Sequence, residues 1–363
     1  MNARLRAVKN LWGTLKWVGA LVALTLAVFG VDSLRFGGAF RSVQPAFAGA
    51  CRAIPLGGSS EDLQLDRDRG LAYLSFLDRD TLSKGEKVKG TVMLLDLNQP
   101  DPVPRAAMIF DPADFRPHGL SLLKAGTGPA RLFAISHLPD GRHTVEVAEE
   151  GSSGGFFPKE TIRDPAFIHP NAIAATGPRA FYLANDTTDF GRWAQVKQTR
   201  FRSGSATLVY FDGTKARVEI TGLAFVAGVA LSPDASRLYV AETLAKALRV
   251  YRRDTSNGTL SLEEVVDLDA APDNLNVDGD GVVWIAAHPK LLRFIGHVRD
   301  SAQRAPTQVL RFDPRQSGDS RLTQVYLNDG DEISAGTVAA RWRDEFLIGA
   351  LLDKKVLICK PIP

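Results

Sequence analysis

A residue pattern recurs about six times along this chain at intervals of 46 to 61 residues, and it restricts the fold more than any other feature. Its copies begin at Glu61, His118, Asn171, Ala227, Asp273 and Ser334. Each runs from a polar or small residue into an aliphatic strand, turns over Asp, Gly, Pro or Ser, and returns in a second strand. Periods near 50 residues indicate a β-propeller, in which each repeat is one four-stranded blade around a central channel. The expected architecture is therefore all-β, a six-bladed β-propeller over residues 42–363 behind a separate segment at 1–41. If each copy opens the innermost strand of its blade, the heads meet at one mouth of the channel. Glu61, Asp62, His118, Asn171, Asp273 and Asn274 then come together. Carboxylates and amides on a rigid rim are oxygen ligands for a hard cation such as calcium.

The first 41 residues read differently. Arg4, Arg6, Lys9 and Lys16 precede an uncharged, mostly apolar run, Trp17–Val31. Counted from Leu11, with Lys16 snorkelling, this stretch approaches the ~20 residues that span a bilayer. The basic flank should stay cytoplasmic and the remainder should be translocated. A retained signal anchor and a cleaved signal peptide both stay open, the latter with an A-x-A site at Ala46–Ala48. The expected location is a membrane-anchored, exocytoplasmic propeller, or a secreted one if the signal is removed. The net charge of +3 is uneven, because residues 1–41 carry +5 and the rest −2. A nearly neutral globular part gives no surface for nucleic acid.

The two cysteines, Cys51 and Cys359, sit at opposite ends of the propeller region. A disulfide there would fasten the first and last strands and would suit an oxidising compartment. Two unrelated buried thiols are the alternative. Asn185 and Asn257 head N-glycosylation sequons, of which Asn257 lies in a turn and Asn185 lies beside a repeat near the channel. After residue 50 one short helix is expected, near Glu242–Leu248.

Among six histidines, His118 heads the second repeat and His137 ends it. A hairpin could set the two imidazoles side by side, and such a pair can act as a general base near neutral pH. Turn or capping roles are the bland reading. His288 ends the fifth repeat and could face the channel mouth, whereas His143, His169 and His297 carry no such argument. Gly151–Gly155 fits G-x-S-x-G but lacks the strand-turn-helix context of a nucleophile elbow. Asp278-Gly279-Asp280-Gly281 resembles the start of a calcium loop, yet Pro289 stands where a bidentate Glu is needed, so it reads as a hairpin turn.

Further motifs occur in order: Gly58-Ser59-Ser60-Glu61-Asp62-Leu63, Pro117-His118-Gly119-Leu120, His137 followed by Thr144-Val145-Glu146, Asn171-x-Ile173-x-x-x-Gly177-Pro178, Asn185-Asp186, Ser232-Pro233-Asp234, Leu238–Glu242 and Asp273-Asn274-Leu275-x-Val277-Asp278. In this set the chain resembles the paraoxonase and arylesterase family of six-bladed calcium propellers, and more distantly the gluconolactonase-like propellers. The resemblance spans nearly the whole chain, including the terminal disulfide. It implies a catalytic calcium held by Glu61, Asn171, Asp273 and Asn274. It implies a second, structural calcium at Asp62 and the backbone carbonyl of Leu120. It also implies a catalytic His118–His137 dyad and pocket positions at Asp186 and Phe225.

Two positions depart from the family pattern. Ala227 replaces an asparagine ligand of the first calcium, and Ala172 replaces an aspartate ligand of the second. One calcium on the axis is therefore expected, and the second is weak or absent. The implied activity is calcium-dependent hydrolysis of small-molecule lactones and aryl esters. Calcium, helped by Asn171 and Asn274, would steady the oxyanion, and either a water deprotonated by the His118–His137 pair or a metal-bound carboxylate such as Asp273 would be the nucleophile. The competing reading, motivated by the two alanines, is a propeller that has lost catalysis and serves as a binding or scaffold module.

Overall fold

The computed structural model describes residues 2–362 apart from 110, 125–127, 153 and 203, and its side-chain description leaves out residues 2–11, 13, 14, 192, 195, 199 and 200. Ser153 of the G-x-S-x-G stretch and the side chains of Arg4, Arg6 and Lys9 therefore lie outside the described residues.

Six strands form a closed ring around the molecular axis: Ser59–Asp66, Pro117–Leu123, Pro170–Ala175, Val226–Leu231, Ala271–Val277 and Gly336–Trp342. Each repeat head lies on one of these strands or, for Ser334, two residues before it. Behind four of them stand separate four-stranded antiparallel sheets. The sheet of Pro117–Leu123, for example, continues through Arg131–His137, His143–Glu150 and Phe156–Ile162. The other two ring strands belong to a single eight-stranded sheet. Its two halves meet at one pairing, Ser60 opposite Ala350. The fold is thus all-β and propeller-like, with four separate sheets and one double-width sheet where six separate blades are expected.

The reason these segments become sheets is visible in their burial. Second strands such as Phe181–Asn185 are buried at every position, because each is covered on both faces by neighbouring sheets. Outer strands such as Leu260–Asp267 alternate towards solvent. The core is accordingly distributed between adjacent sheets. One such layer stacks Phe181 on Phe211 with ring centroids 5.1 Å apart and sets Phe133 and Phe167 against them. Burying one such phenylalanine contributes roughly 1.5–3 kcal/mol.

Every ring strand is interrupted at its head by a β-bulge. The register shifts at Ser60/Leu63, Pro117/Leu120, Pro170/Ala172, Val226/Gly228, Pro272/Leu275 and Gly336/Val338. A bulge re-aims the side chains it carries, and these six carry Glu61, Asp62, His118, Asn171, Ala227, Asp273, Asn274 and Thr337. Two glycines let the bulged strands approach. A Cβ on Gly119 would stand 2.5 Å from the Asn171 carbonyl, and one on Gly228 would stand 2.5 Å from the Asp273 carbonyl and 2.9 Å from Asn274 Cα.

The ring is closed by the chain ends. Gly49–Pro55 pairs along its whole length with Lys355–Pro361, and within that ladder Cys51 and Cys359 form a disulfide. The bond closes a loop spanning 308 residues, which in the chain-entropy model stabilises the fold by about 6 kcal/mol.

Four features bear on the sequence expectation. Helices form at Arg192–Phe201 and Leu291–Arg299, where none is expected; neither has a side-chain N-cap, so the usual start signal is missing. The helix near Glu242–Leu248 reduces to a three-residue turn, Thr243–Ala245, squeezed between two strands. Asp278–Gly281 is a hairpin turn, as its sequence suggests. Of the two sequon asparagines, Asn257 is exposed, while Asn185 is fully buried with its amide bonded to Ala166 and Thr207.

The N-terminal helix runs from Asn2 to Phe36, and its stretch Leu15–Phe36 is long and apolar enough to cross a membrane by length and composition. Its end rests on the propeller rim. Phe29 meets Phe201 at 5.4 Å, Asp32 pairs with Arg202, and Arg202 and Lys246 lie over the Phe36 ring.

Two outcomes test this architecture. Cys359→Ser should lower unfolding free energy by several kcal/mol, read from the denaturant midpoint, and intact-mass analysis should register two added hydrogens on reduction of the parent chain. Gly228→Ala should cost roughly 1–3 kcal/mol, the usual price of overpacking, because its methyl meets backbone that cannot step aside. A neutral Gly228→Ala would mean that the two ring strands are not in close contact.

Candidate functional site

The bulges gather a buried acidic cluster at one end of the ring. Glu61, Asp62, Asp273 and Asn274 are each 7% exposed or less. Asn274 Nδ2 donates to Glu61 Oε1 at 2.6 Å, which ties the first ring strand to the fifth. Thr337 Oγ1 donates to the Glu61 carbonyl at 2.7 Å, bringing in the sixth. His288 Nε2 lies 2.7 Å from Asp273 Oδ2, and the His288 ring stacks on Phe294. Phe225, at a left-handed φ of 59°, packs in the same apolar patch as Phe294.

Asp62 behaves differently from its neighbours. Its Oδ1 accepts from Leu63 N at 2.7 Å and its Oδ2 from Leu120 N at 2.6 Å. Leu120 therefore meets Asp62 through its N–H, where the resemblance implies a role for its carbonyl.

Sequence reasoning gives no role to Arg79, which is the buried counter-charge of this cluster. Its guanidinium donates to the Pro117 carbonyl at 2.7 Å and to Ser59 and Ser75. Burial pulls its pKa down to about 10, against the pull of Glu61 and Asp62. One guanidinium does not balance three carboxyl groups. Burial accordingly pushes both Glu61 and Asp273 up to about 6 and raises Asp62 as well.

The remaining unpaired atoms indicate what would balance the charge. Glu61 Oε2 and Asn171 Oδ1 are buried and have no hydrogen-bond partner. Both are acceptors, and orphaned acceptors in a cluster with excess negative charge suit a cation. Among the described residues no three His, Cys, Asp or Glu side chains form a ready metal cage. A cation here would rest on two carboxylates supplemented by amide oxygens, the oxygen-only chemistry of calcium. The residues present fit that ion.

Beside the cluster lie four histidines, two more than expected. His118 Nε2 stands 3.7 Å from Glu61 Oε2. The His118 and His137 rings meet edge to face at 5.0 Å between centroids. The direct hydrogen bond of His137, however, is to His143, Nδ1 to Nδ1 at 2.8 Å. His169 Nδ1 lies 2.7 Å from Asp186 Oδ1, and Asn171 Nδ2 approaches Asp186 Oδ2 at 3.4 Å. Burial, reinforced by Arg79, pushes His118 down to about 3, and burial among other histidines pushes His137 well below its usual range. The hydrogen bond to Asp186 lifts His169 instead.

The structure thus brings together Glu61, Asp62, Asn171, Asp273, Asn274, His118, His137 and His288, with Asp186 joined through Asn171. Ala227 sits beside this group on the fourth ring strand, next to Gly228. His143 and His169 were legible only through pairing: His143 faces His137 across the Pro139-Asp140-Gly141 hairpin, and His169 leads directly into the Pro170-Asn171 bulge.

Comparison with known proteins finds relatives over most of the chain. A family model described as arylesterase matches residues 69–360. Human serum paraoxonase/arylesterase 1 is 29% identical over 357 residues, covering 94% of this chain and 99% of its own length. Human serum paraoxonase/arylesterase 2 is 29% identical over 359 residues, covering 96% and 99%. Rat serum paraoxonase/arylesterase 1 is 30% identical over 325 residues, covering 87% and 90%. Among solved structures, a luciferin-regenerating enzyme superimposes with TM-score 0.55 at 14% identity, over 87% of this chain and 95% of that one. A candidate gluconolactonase gives 0.53 at 16%, over 88% and 94%. Both share the fold.

Proposed function

The chain belongs to the arylesterase family, and on that premise we propose that it is a hydrolase of small-molecule lactones and aryl esters that works with calcium on the propeller axis. The observation that carries this reading is the pair of orphaned acceptors, Glu61 Oε2 and Asn171 Oδ1, within a buried cluster whose carboxylates outnumber its one guanidinium. A pure scaffold needs none of these groups, and each imposes a desolvation cost on the fold.

Glu61, Asn171, Asp273 and Asn274 would hold the ion. When bound it would supply Lewis-acid polarisation of the ester or lactone carbonyl. The protein's own groups do the rest. Asn274 spends its amide N–H on Glu61, and His288 holds Asp273, so both carboxylates are oriented in advance. Burial keeps the His118 imidazole neutral, so as the base that takes a proton from an attacking water it depends on a counter-charge for the imidazolium. The imidazolium so formed gains a counter-charge from Glu61 at 3.7 Å. His137 packs against His118 and is itself fixed by His143.

In this reading the eight-stranded sheet counts as two blades joined at Ser60–Ala350, which makes six. Residues 1–41 serve as anchor and linker and 42–363 as the catalytic propeller. Leu15–Phe36 would cross a membrane with the propeller on the exocytoplasmic side, where a disulfide persists.

Purified protein assayed on a panel of lactones and aryl esters should be active with calcium and inactive after chelation, and calcium should raise its melting temperature. Asp273→Ala should abolish both effects. His118→Gln should keep the calcium-dependent rise in melting temperature while kcat falls by roughly 10²–10⁴, the usual range for a general base. Wild-type rates in His118→Gln, with Asp273→Ala inactive, would transfer the chemistry to a carboxylate. Ala227→Asn should tighten calcium by adding an amide oxygen beside Asp273. Calcium binding without hydrolysis of any ester would favour the scaffold reading.

A further inference from the structure

The opposite end of the channel poses the reverse electrostatic problem. The far ends of five ring strands enclose a cavity of about 190 Å³. Its lining includes Gln64, Ser121 and Asn276 among backbone and aliphatic groups, and Arg67 is its one charged residue. Among the described residues no carboxylate lines it.

Arg67 has no ion-pair partner among the described residues. Its Nη2 donates to Asn276 Oδ1 at 2.5 Å, a neutral acceptor. Asn276 is in turn held by its own bond to the Leu63 carbonyl. The Arg67 Nε–H is buried and meets no acceptor. Outside the cavity Arg67 borders a cleft shared with Asp278, Asp280, Arg341 and Arg343. The carboxylates there are committed elsewhere. Asp278 Oδ1 accepts the amides of Asp280 and Val282, and its Oδ2 accepts the Trp284 indole N–H. Arg341 pairs with Asp278 and Asp280, and Arg343 lies over the Trp342 ring. Asp66 and Asp68 are taken by Arg69 and Lys124. Of these three guanidinium groups only Arg341 pairs directly with the two carboxylates, and Arg67 feels Asp278 at longer range without a direct ion pair.

A guanidinium withdrawn from water is stable when an anion compensates it. Its planar fork of donors suits a halide, a phosphate or a carboxylate. We propose that this end of the channel is a binding site for a small anion held by Arg67. Such an anion would seat between the ring strands and link them from the side opposite the acidic cluster. The inference is independent of the hydrolase reading, because no catalytic group takes part in it.

The test uses the full chain in detergent and compares anions at equal ionic strength. Bromide, phosphate and acetate should raise the melting temperature of the parent protein. A bulky sulfonate buffer anion, too large for the cavity, should not. In Arg67→Met the anion response should disappear, with apparent affinity reduced at least tenfold, and Arg67→Lys should retain part of it. Crystals grown with bromide should show anomalous scattering beside Arg67. Identical responses to small and bulky anions, or an unchanged response in Arg67→Met, would overturn the proposal. If Arg67→Met does not fold, the bromide crystals of the parent chain decide: density beside Arg67 supports the site, and none refutes it. Whichever of bromide, phosphate and acetate binds most tightly identifies the anion class.

Discussion

The pairing of Gly49–Pro55 with Lys355–Pro361 turns six successive ring strands into a closed ring. Every later feature depends on it. Glu61 stands on the first ring strand, Asp273 and Asn274 on the fifth and Thr337 on the sixth, and these touch only because the ring closes. The one pairing between the halves of the double-width sheet, Ser60 with Ala350, lies next to Glu61. An error in closure would therefore appear first at the acidic cluster. The disulfide within the closing ladder secures the part of the structure with the greatest sequence separation, where loop entropy opposes pairing most.

Closure concentrates charge on the axis, and the two ends of the channel carry it with opposite sign. At one end Glu61, Asp62 and Asp273 outnumber Arg79. At the other Arg67 faces a chamber without carboxylates. Both are configurations that apolar packing alone would not favour, since buried charge costs more than the apolar burial it displaces. At the acidic end Gly119 and Gly228 allow the backbones of adjacent ring strands to meet closely at the bulges that carry the polar heads.

Much of this was legible in the sequence, for a definite reason. Propeller repeats place chemically equivalent residues at a regular interval, so Glu61, His118, Asn171 and Asp273 could be aligned as heads of ring strands without knowing any contact. The illegible parts depend on neighbours rather than on period. His143 matters because the hairpin register sets it opposite His137. His169 matters because Asp186 arrives from the adjoining strand. Arg79 enters the cluster from a five-residue helix with no repeat equivalent. The helices Arg192–Phe201 and Leu291–Arg299 lack side-chain caps and lie in the connections between the second and third strands of their sheets, where the period gives no guidance. The fusion of two blades through Ser60–Ala350 is a single backbone pairing that no side-chain pattern encodes.

The two alanines can be understood from the same geometry. Ala172 is buried in an apolar cluster with Ala174 and Val226, and its Cα lies 3.0 Å from the position a Gly119 Cβ would take. A carboxylate there would need its own compensation, and this chain provides none beside it. Asp62, which such a carboxylate would accompany, has both oxygens engaged by the N–H groups of Leu63 and Leu120. Two amide dipoles aimed at a carboxylate do part of what a cation would do, without metal and at no cost in ligand ordering. Ala227 is a different case. It lies beside Asp273 and Asn274, whose neighbours Glu61 Oε2 and Asn171 Oδ1 remain uncompensated. The N–H groups around Asp62 offset only part of its burial cost, since Asp62 still stands well above the usual carboxylate range, whereas Ala227 lies beside a set in which two acceptors are unpaired.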